Sequence, residues 1–124
     1  MPTSNEPHET AYKIHVTTGK QALSANVFLQ IFGKRRNDNS EQRKSMHDLW
    51  SVKFPLKHSA GKFRAGRTDF FETLETDVGK LRKLRVSHDG LASWHLKKIV
   101  IEMPSLNRTW KFKCNQWIGK ENTF

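Results

Sequence analysis

The chain has 124 residues, enough for one domain with a buried core and short for two. Lys and Arg number 22 against 12 Asp and Glu, a net charge of +10 that points to anionic partners: phospholipid head groups, nucleic acid or an acidic protein face. No apolar run approaches the roughly 18 residues of a membrane-spanning helix, the start lacks the apolar stretch of a secretory signal, and the lone Cys114 excludes an internal disulfide framework. A reducing, cytoplasmic setting fits these features, as does a domain cut from a larger protein.

Residues 1–10 (MPTSNEPHET) are polar, carry two prolines and show no periodicity, as expected of a disordered leader. Tyr12, Ile14 and Val16 then alternate with Lys13, His15 and Thr17, a half-buried strand that Thr18-Gly19 breaks. Asn26–Phe32 follows as a second strand, with Val27, Leu29 and Ile31 on one face and Gly33 at its end. Residues 34–47 (KRRNDNSEQRKSMH) have no apolar face and read as a polar insertion loop.

In residues 49–56, Trp50, Val52, Phe54 and Leu56 alternate with Ser51, Lys53 and Pro55, a third strand. Pro55 lacks an N–H and therefore belongs at a sheet edge or a strand end. A basic loop over 57–66 leads to a fourth strand at 68–74 and a turn at Asp77-Val78-Gly79. Residues 79–103 read as a hairpin: Leu84, Val86 and His88 alternate with Arg85 and Ser87, Asp89 and Gly90 form the turn, and a second arm begins at Ser93-Trp94. Within that arm, alternation puts Ile99 and Ile101 on one face and Leu96 and Val100 on the other. Trp110, Phe112 and Cys114 form the last strand, and Trp117-Ile118 completes the apolar set. Some eight short strands without a convincing helix predict an antiparallel β-sandwich, a single domain over 11–120.

Several segments together resemble the PLAT (polycystin/lipoxygenase/alpha-toxin, lipoxygenase-homology) domain. The opening strand Tyr12–Thr17 with its Thr18-Gly19 turn is similar to the family's first strand, and Ala25-Asn26-Val27 through Gly33 to its second. Residues 62–71 (KFRAGRTDFF) resemble a segment of the form F-x-x-G-x-T-D-x-F, and Val78–Val86 resembles LGxLxKLRI. His88-Asp89 followed by Trp94 resembles the family's "HD" corner, and residues 110–118 (WKFKCNQWI) its YxFPCNRWL strand. The resemblance covers Tyr12 to Ile118 and implies a sandwich of two four-stranded sheets that docks membranes, lipids or proteins.

Where PLAT domains bind calcium, the resemblance implies ligands from the first loop and the "HD" loop. Here Lys20 and Ser24 stand where the family often has acids, which leaves Asp89 as the one carboxylate, with the Asn26 side chain and the Gly19 carbonyl as helpers. Calcium seeks six to eight oxygens, so a weak or absent site is expected and no cofactor is required. Asp89 and Asn26 equally suit turn stabilisation.

Docking to anionic phospholipid would use Leu23 and Leu91 as apolar loop tips, with Lys20, Lys57, Lys62, Arg64 and Arg67 as the surrounding cations. The four tryptophans fit inward positions and are assigned to the core. Nucleic acid is disfavoured because the aromatics alternate inward and build no stacking platform among the basic residues. Catalysis finds no support: His8, His15, His47, His58, His88 and His95 are scattered, and Cys114 alternates with Phe112 and Trp110 as a buried thiol would. The expected function is a non-catalytic, monomeric module for peripheral membrane docking, or alternatively one that binds an acidic protein.

Overall fold

A computed structural model describes residues 8–34, 49–57 and 63–124. Among the described residues eight strands run in chain order: β1 (Glu9–Thr18), β2 (Val27–Lys34), β3 (Trp50–Pro55), β4 (Thr68–Thr76), β5 (Lys80–His88), β6 (Trp94–Met103), β7 (Arg108–Ile118) and β8 (Glu121–Thr123). They form two four-stranded antiparallel sheets, β4-β1-β6-β7 and β3-β2-β5-β8, packed as a sandwich. The expected all-β class and sheet count hold.

Period-two alternation is the cause. Tyr12, Ile14 and Val16 of β1 and Ile99 and Ile101 of β6 point to the interlayer from one sheet. Val27, Leu29 and Ile31 of β2 and Leu84 and Val86 of β5 meet them from the other. Full burial of one such aliphatic side chain contributes roughly 1.5–3 kcal/mol relative to exposure. At one end the core turns aromatic, with the Phe63 ring 5.7 Å from Phe71 and 5.3 Å, edge-on, from Trp94.

Four expectations change. Glu9 and Thr10 are not leader but the start of β1, registered against Thr76 and Glu75, while residues 1–7 lie outside the described residues. Lys34 closes β2 rather than opening a loop, and the rest of the 34–47 insertion falls outside the described residues. The fold continues past residue 120, because β8 pairs Glu121–Thr123 with Ser87–Arg85.

The fourth change concerns 79–103, which is no hairpin. β5 and β6 lie in different sheets, and residues 89–93 arch from one layer to the other. The inward faces of both arms are apolar, so pairing them edge to edge would leave one layer without its half of the core. Leu96 also faces inward, with no exposed surface: a register shift between Leu96 and Lys98 resets the alternation, as a β-bulge does. Pro55 behaves as expected, ending the edge strand β3.

Candidate functional site

The registers gather four connections at one end of the sandwich. Thr17 pairs with Thr68, Val27 with His88, Phe28 with Pro55 and Trp94 with Ile118. The described stretches 19–26, 56–57, 63–67, 89–93 and 119–120 therefore emerge side by side. Backbone hydrogen bonds tie them together. The Gly66 N–H donates to the Thr18 and Gly19 carbonyls at 3.0 Å each, the Leu23 N–H to the Phe63 carbonyl at 3.0 Å, and the Gly19 N–H to the His95 carbonyl at 2.8 Å.

The cations picked from the sequence come together here. Lys20, Lys57, Arg64 and Arg67 are all exposed on these connections, and Lys120, not singled out from the sequence, joins them. Lys62 lies outside the described residues. Among the described residues of the four connections, Asp89 is the one acid. The end is strongly cationic.

The two apolar tips separate. Leu91 is fully exposed, whereas Leu23 is 6% exposed and belongs to the core, so Leu23 is no loop tip available for insertion. Its backbone is pinned to Phe63, and its side chain packs beside the arch at Gly90. A second apolar residue was missed. Trp117, assigned from the sequence to the core, is 55% exposed on the outer face at the same end, tilted against the His95 ring at 4.9 Å. The signal was parity: Trp110, Phe112, Cys114 and Ile118 occupy even positions and Trp117 an odd one. Trp94 is fully buried and donates its Nε1–H to the Thr18 hydroxyl at 3.2 Å.

Two buried imidazoles hold the tips from beneath. His95 Nδ1 accepts the Lys20 N–H at 2.9 Å, and His88 Nδ1 accepts the Gly90 N–H at 3.0 Å. His88 also donates Nε2–H to the Ile118 carbonyl at 2.9 Å, so its two ring nitrogens tie the arch to the end of β7. Each loop residue over these rings must be small. A Cβ on Gly19 would fall 2.0 Å from His95 Nδ1, and one on Gly90 would fall 2.9 Å from the Ala25 Cβ.

Asp89, Asn26 and Gly19, the sequence's calcium candidates, are committed to one another or to the backbone. Asp89 Oδ1 accepts the Asn26 N–H and Oδ2 the Asn26 Nδ2–H, both at 2.9 Å, and the Asp89 N–H returns a bond to the Asn26 carbonyl at 3.2 Å. The bonds from Asn26 hold the Asp89 carboxyl below its ordinary value, the side-chain amide acting most strongly. The Gly19 carbonyl accepts from Gly66. Among the described residues no group of three or more His, Cys, Asp or Glu converges. One carboxylate with both oxygens engaged does not fit an ion that seeks six to eight oxygens. Cys114 is buried as expected, and burial pushes its thiol up to about 12.

Known proteins share this frame. The family model for the PLAT/LH2 domain matches residues 12–123. The mouse polycystin family receptor for egg jelly is 29% identical over 98% of this chain and 6% of its own length. The mouse lipoxygenase homology domain-containing protein 1 is 32% identical over 91% of this chain and 5% of its own length. The chain thus spans about a twentieth of these relatives. Coral 8R-lipoxygenase, described by calcium activation via a C2-like domain, superposes with a TM-score of 0.71 at 19% identity, over 91% of this chain and 16% of that one. A calcium-dependent 11R-lipoxygenase gives 0.66 at 24% identity, over 92% of this chain and 17% of that one. With the order of its motifs, its two-sheet topology and the matched residues in agreement, the chain belongs to the PLAT/LH2 domain family.

Proposed function

We propose that this chain is a non-catalytic module that docks a larger protein onto anionic membrane through the loop end, acting as a monomeric, peripheral domain on the cytoplasmic side. The observation that carries this reading is the placement of exposed Leu91 and Trp117 at the same end as Lys20, Lys57, Arg64, Arg67 and Lys120. The cations attract a negatively charged surface, each contributing roughly 1 kcal/mol near it. Leu91 then enters the head-group region, and the indole suits the interface because it pairs an apolar body with an N–H. Nothing in this mechanism requires a bound metal or a reaction.

Co-sedimentation with vesicles tests it. Binding to phosphatidylcholine vesicles containing phosphatidylserine, and little to phosphatidylcholine alone, is the expected result. Equal binding to both, or none to either, overturns it.

A second reading rests on the outer face of the β3-β2-β5-β8 sheet. Phe28 and Phe32 face outward there, with Lys53 Nζ 5.9 Å from the Phe28 ring centre and Lys83 Nζ 4.8 Å from that of Phe32. Arg85 sits 5.4 Å from the same Phe32 ring. Such a face suits an acidic protein segment, and capture of that partner after lipid depletion would favour this reading.

A further inference from the structure

We infer that the loop end is closed by a metal-free clasp, in which the Asn26 amide does what a cation would otherwise do, so that docking runs without calcium. The inference deepens the membrane-docking reading and rests on it for its last step.

Donors and acceptors match one for one at this pair. Asp89 offers two carboxylate oxygens on the arch between β5 and β6, and Asn26 offers two N–H donors at the end of the first loop. All four meet pairwise at 2.9 Å. The Asp89 N–H to Asn26 carbonyl bond closes a third contact between the same two residues, so the pair is bridged by backbone and side chain at once. A fork of two N–H donors matches a carboxylate in both geometry and charge sense. A cation entering here would meet two N–H donors aimed at the same oxygens and would gain a single carboxylate.

The flanking positions act in the same direction. Lys20 places an exposed positive charge on the loop, and its own N–H is fixed to His95 Nδ1. The Gly19 carbonyl accepts the Gly66 N–H, which it shares with the Thr18 carbonyl. With Asn26 joined to Asp89, the arch is held against the first loop, and Leu91, two residues further on, projects fully into solvent. The arrangement presents its apolar tip before any ion arrives.

The test uses the whole chain, melted in 2 mM calcium chloride and in excess EGTA, and co-sedimented with phosphatidylserine-containing vesicles under both conditions. The wild-type chain is expected to melt at the same temperature in both and to bind vesicles equally in both. Asn26→Asp sets a second carboxylate against Asp89. It is expected to melt several degrees lower in EGTA and to regain part of that loss in calcium, while Asn26→Ala melts lower in both solutions without regain. A rise of the wild-type melting temperature in calcium overturns the clasp. So does an Asn26→Asp chain that behaves like the wild type, since the amide would then bear nothing. If the wild-type chain ignores vesicles altogether yet melts independently of calcium, the docking reading fails and the clasp stands.

Discussion

Tyr12 shows how one polar atom is accommodated in this core. The side chain has no exposed surface, yet its hydroxyl donates to the Thr76 carbonyl at 2.8 Å and accepts the Val78 N–H at 3.2 Å. It joins β1 to the turn after β4. Tyr12→Phe leaves the Val78 N–H and the Thr76 carbonyl without this partner, and the expected cost is about 1–3 kcal/mol, read from the midpoint of urea unfolding. Burial pushes the Tyr12 phenol up to about 12. A value raised on folding means that the contribution is complete below the phenol's ordinary value of 10.0 and is lost as pH climbs through about 12. Alkaline unfolding of the wild type should therefore steepen across that window, and Tyr12→Phe should flatten it. Cys114 gives a parallel expectation: with its thiol also near 12, alkylation at pH 8 should require unfolding. Rapid labelling of the native chain would mean that the 112–118 region opens.

The elements divide into those that alternation decides and those it does not. β2 alternates strictly, as do Tyr12–Val16 of β1 and Leu84–His88 of β5, and the inward sets Tyr12-Ile14-Val16, Val27-Leu29-Ile31 and Leu84-Val86-His88 are buried as the sequence implies, whereas Leu81 is buried at the opposite parity across the register shift at Phe32/Gly33. β6 changes parity as well, at a bulge. Leu96 turned inward through the shift at Leu96/Lys98, and the β7 stretch opposite it contains Asn115 at φ 49°. The partner of a strand is not written in its own residues either, so the arms of 79–103 read as a hairpin in sequence although they belong to separate sheets. At the loop end, residue types alone told which side chains are cationic. The same residue type lies buried at Leu23 and free at Leu91 because only Leu23 is pinned, through its N–H, over the Phe63 cluster. Gly19 makes that dependence testable. A methyl group there would collide with His95, whose ring is packed on Trp117, and would displace the acceptor of the Lys20 N–H. Gly19→Ala should cost about 1–3 kcal/mol by urea unfolding, as overpacking does. A neutral result would show that the His95 anchor yields freely.

At the scale of the whole molecule, the charge of +10 is not confined to the loop end. Lys53, Lys83 and Arg85 cover the outer face of one sheet, while Lys98, Lys111 and Lys113 stand on strands of the other. Exposed charges farther than about 8 Å from a surface are largely screened at physiological salt. In the proposed docking mode the loop end is then the part of the positive field that a bound membrane would still feel, and the remainder would speed encounter without holding the complex. This separates two measurable effects. Lys83→Glu with Arg85→Glu should slow association with phosphatidylserine vesicles at low salt and leave dissociation almost unchanged. Arg64→Glu with Arg67→Glu should weaken retention at 150 mM salt by roughly 10-fold or more, since two charges are reversed and each cation contributes roughly 1 kcal/mol. Leu91→Ser with Trp117→Ser should remove the part of binding that survives high salt, because apolar insertion does not depend on screening. If the sheet-face pair instead governs retention and the Leu91 and Trp117 changes do nothing, the membrane meets the β3-β2-β5-β8 face, and the loop end is free for another partner.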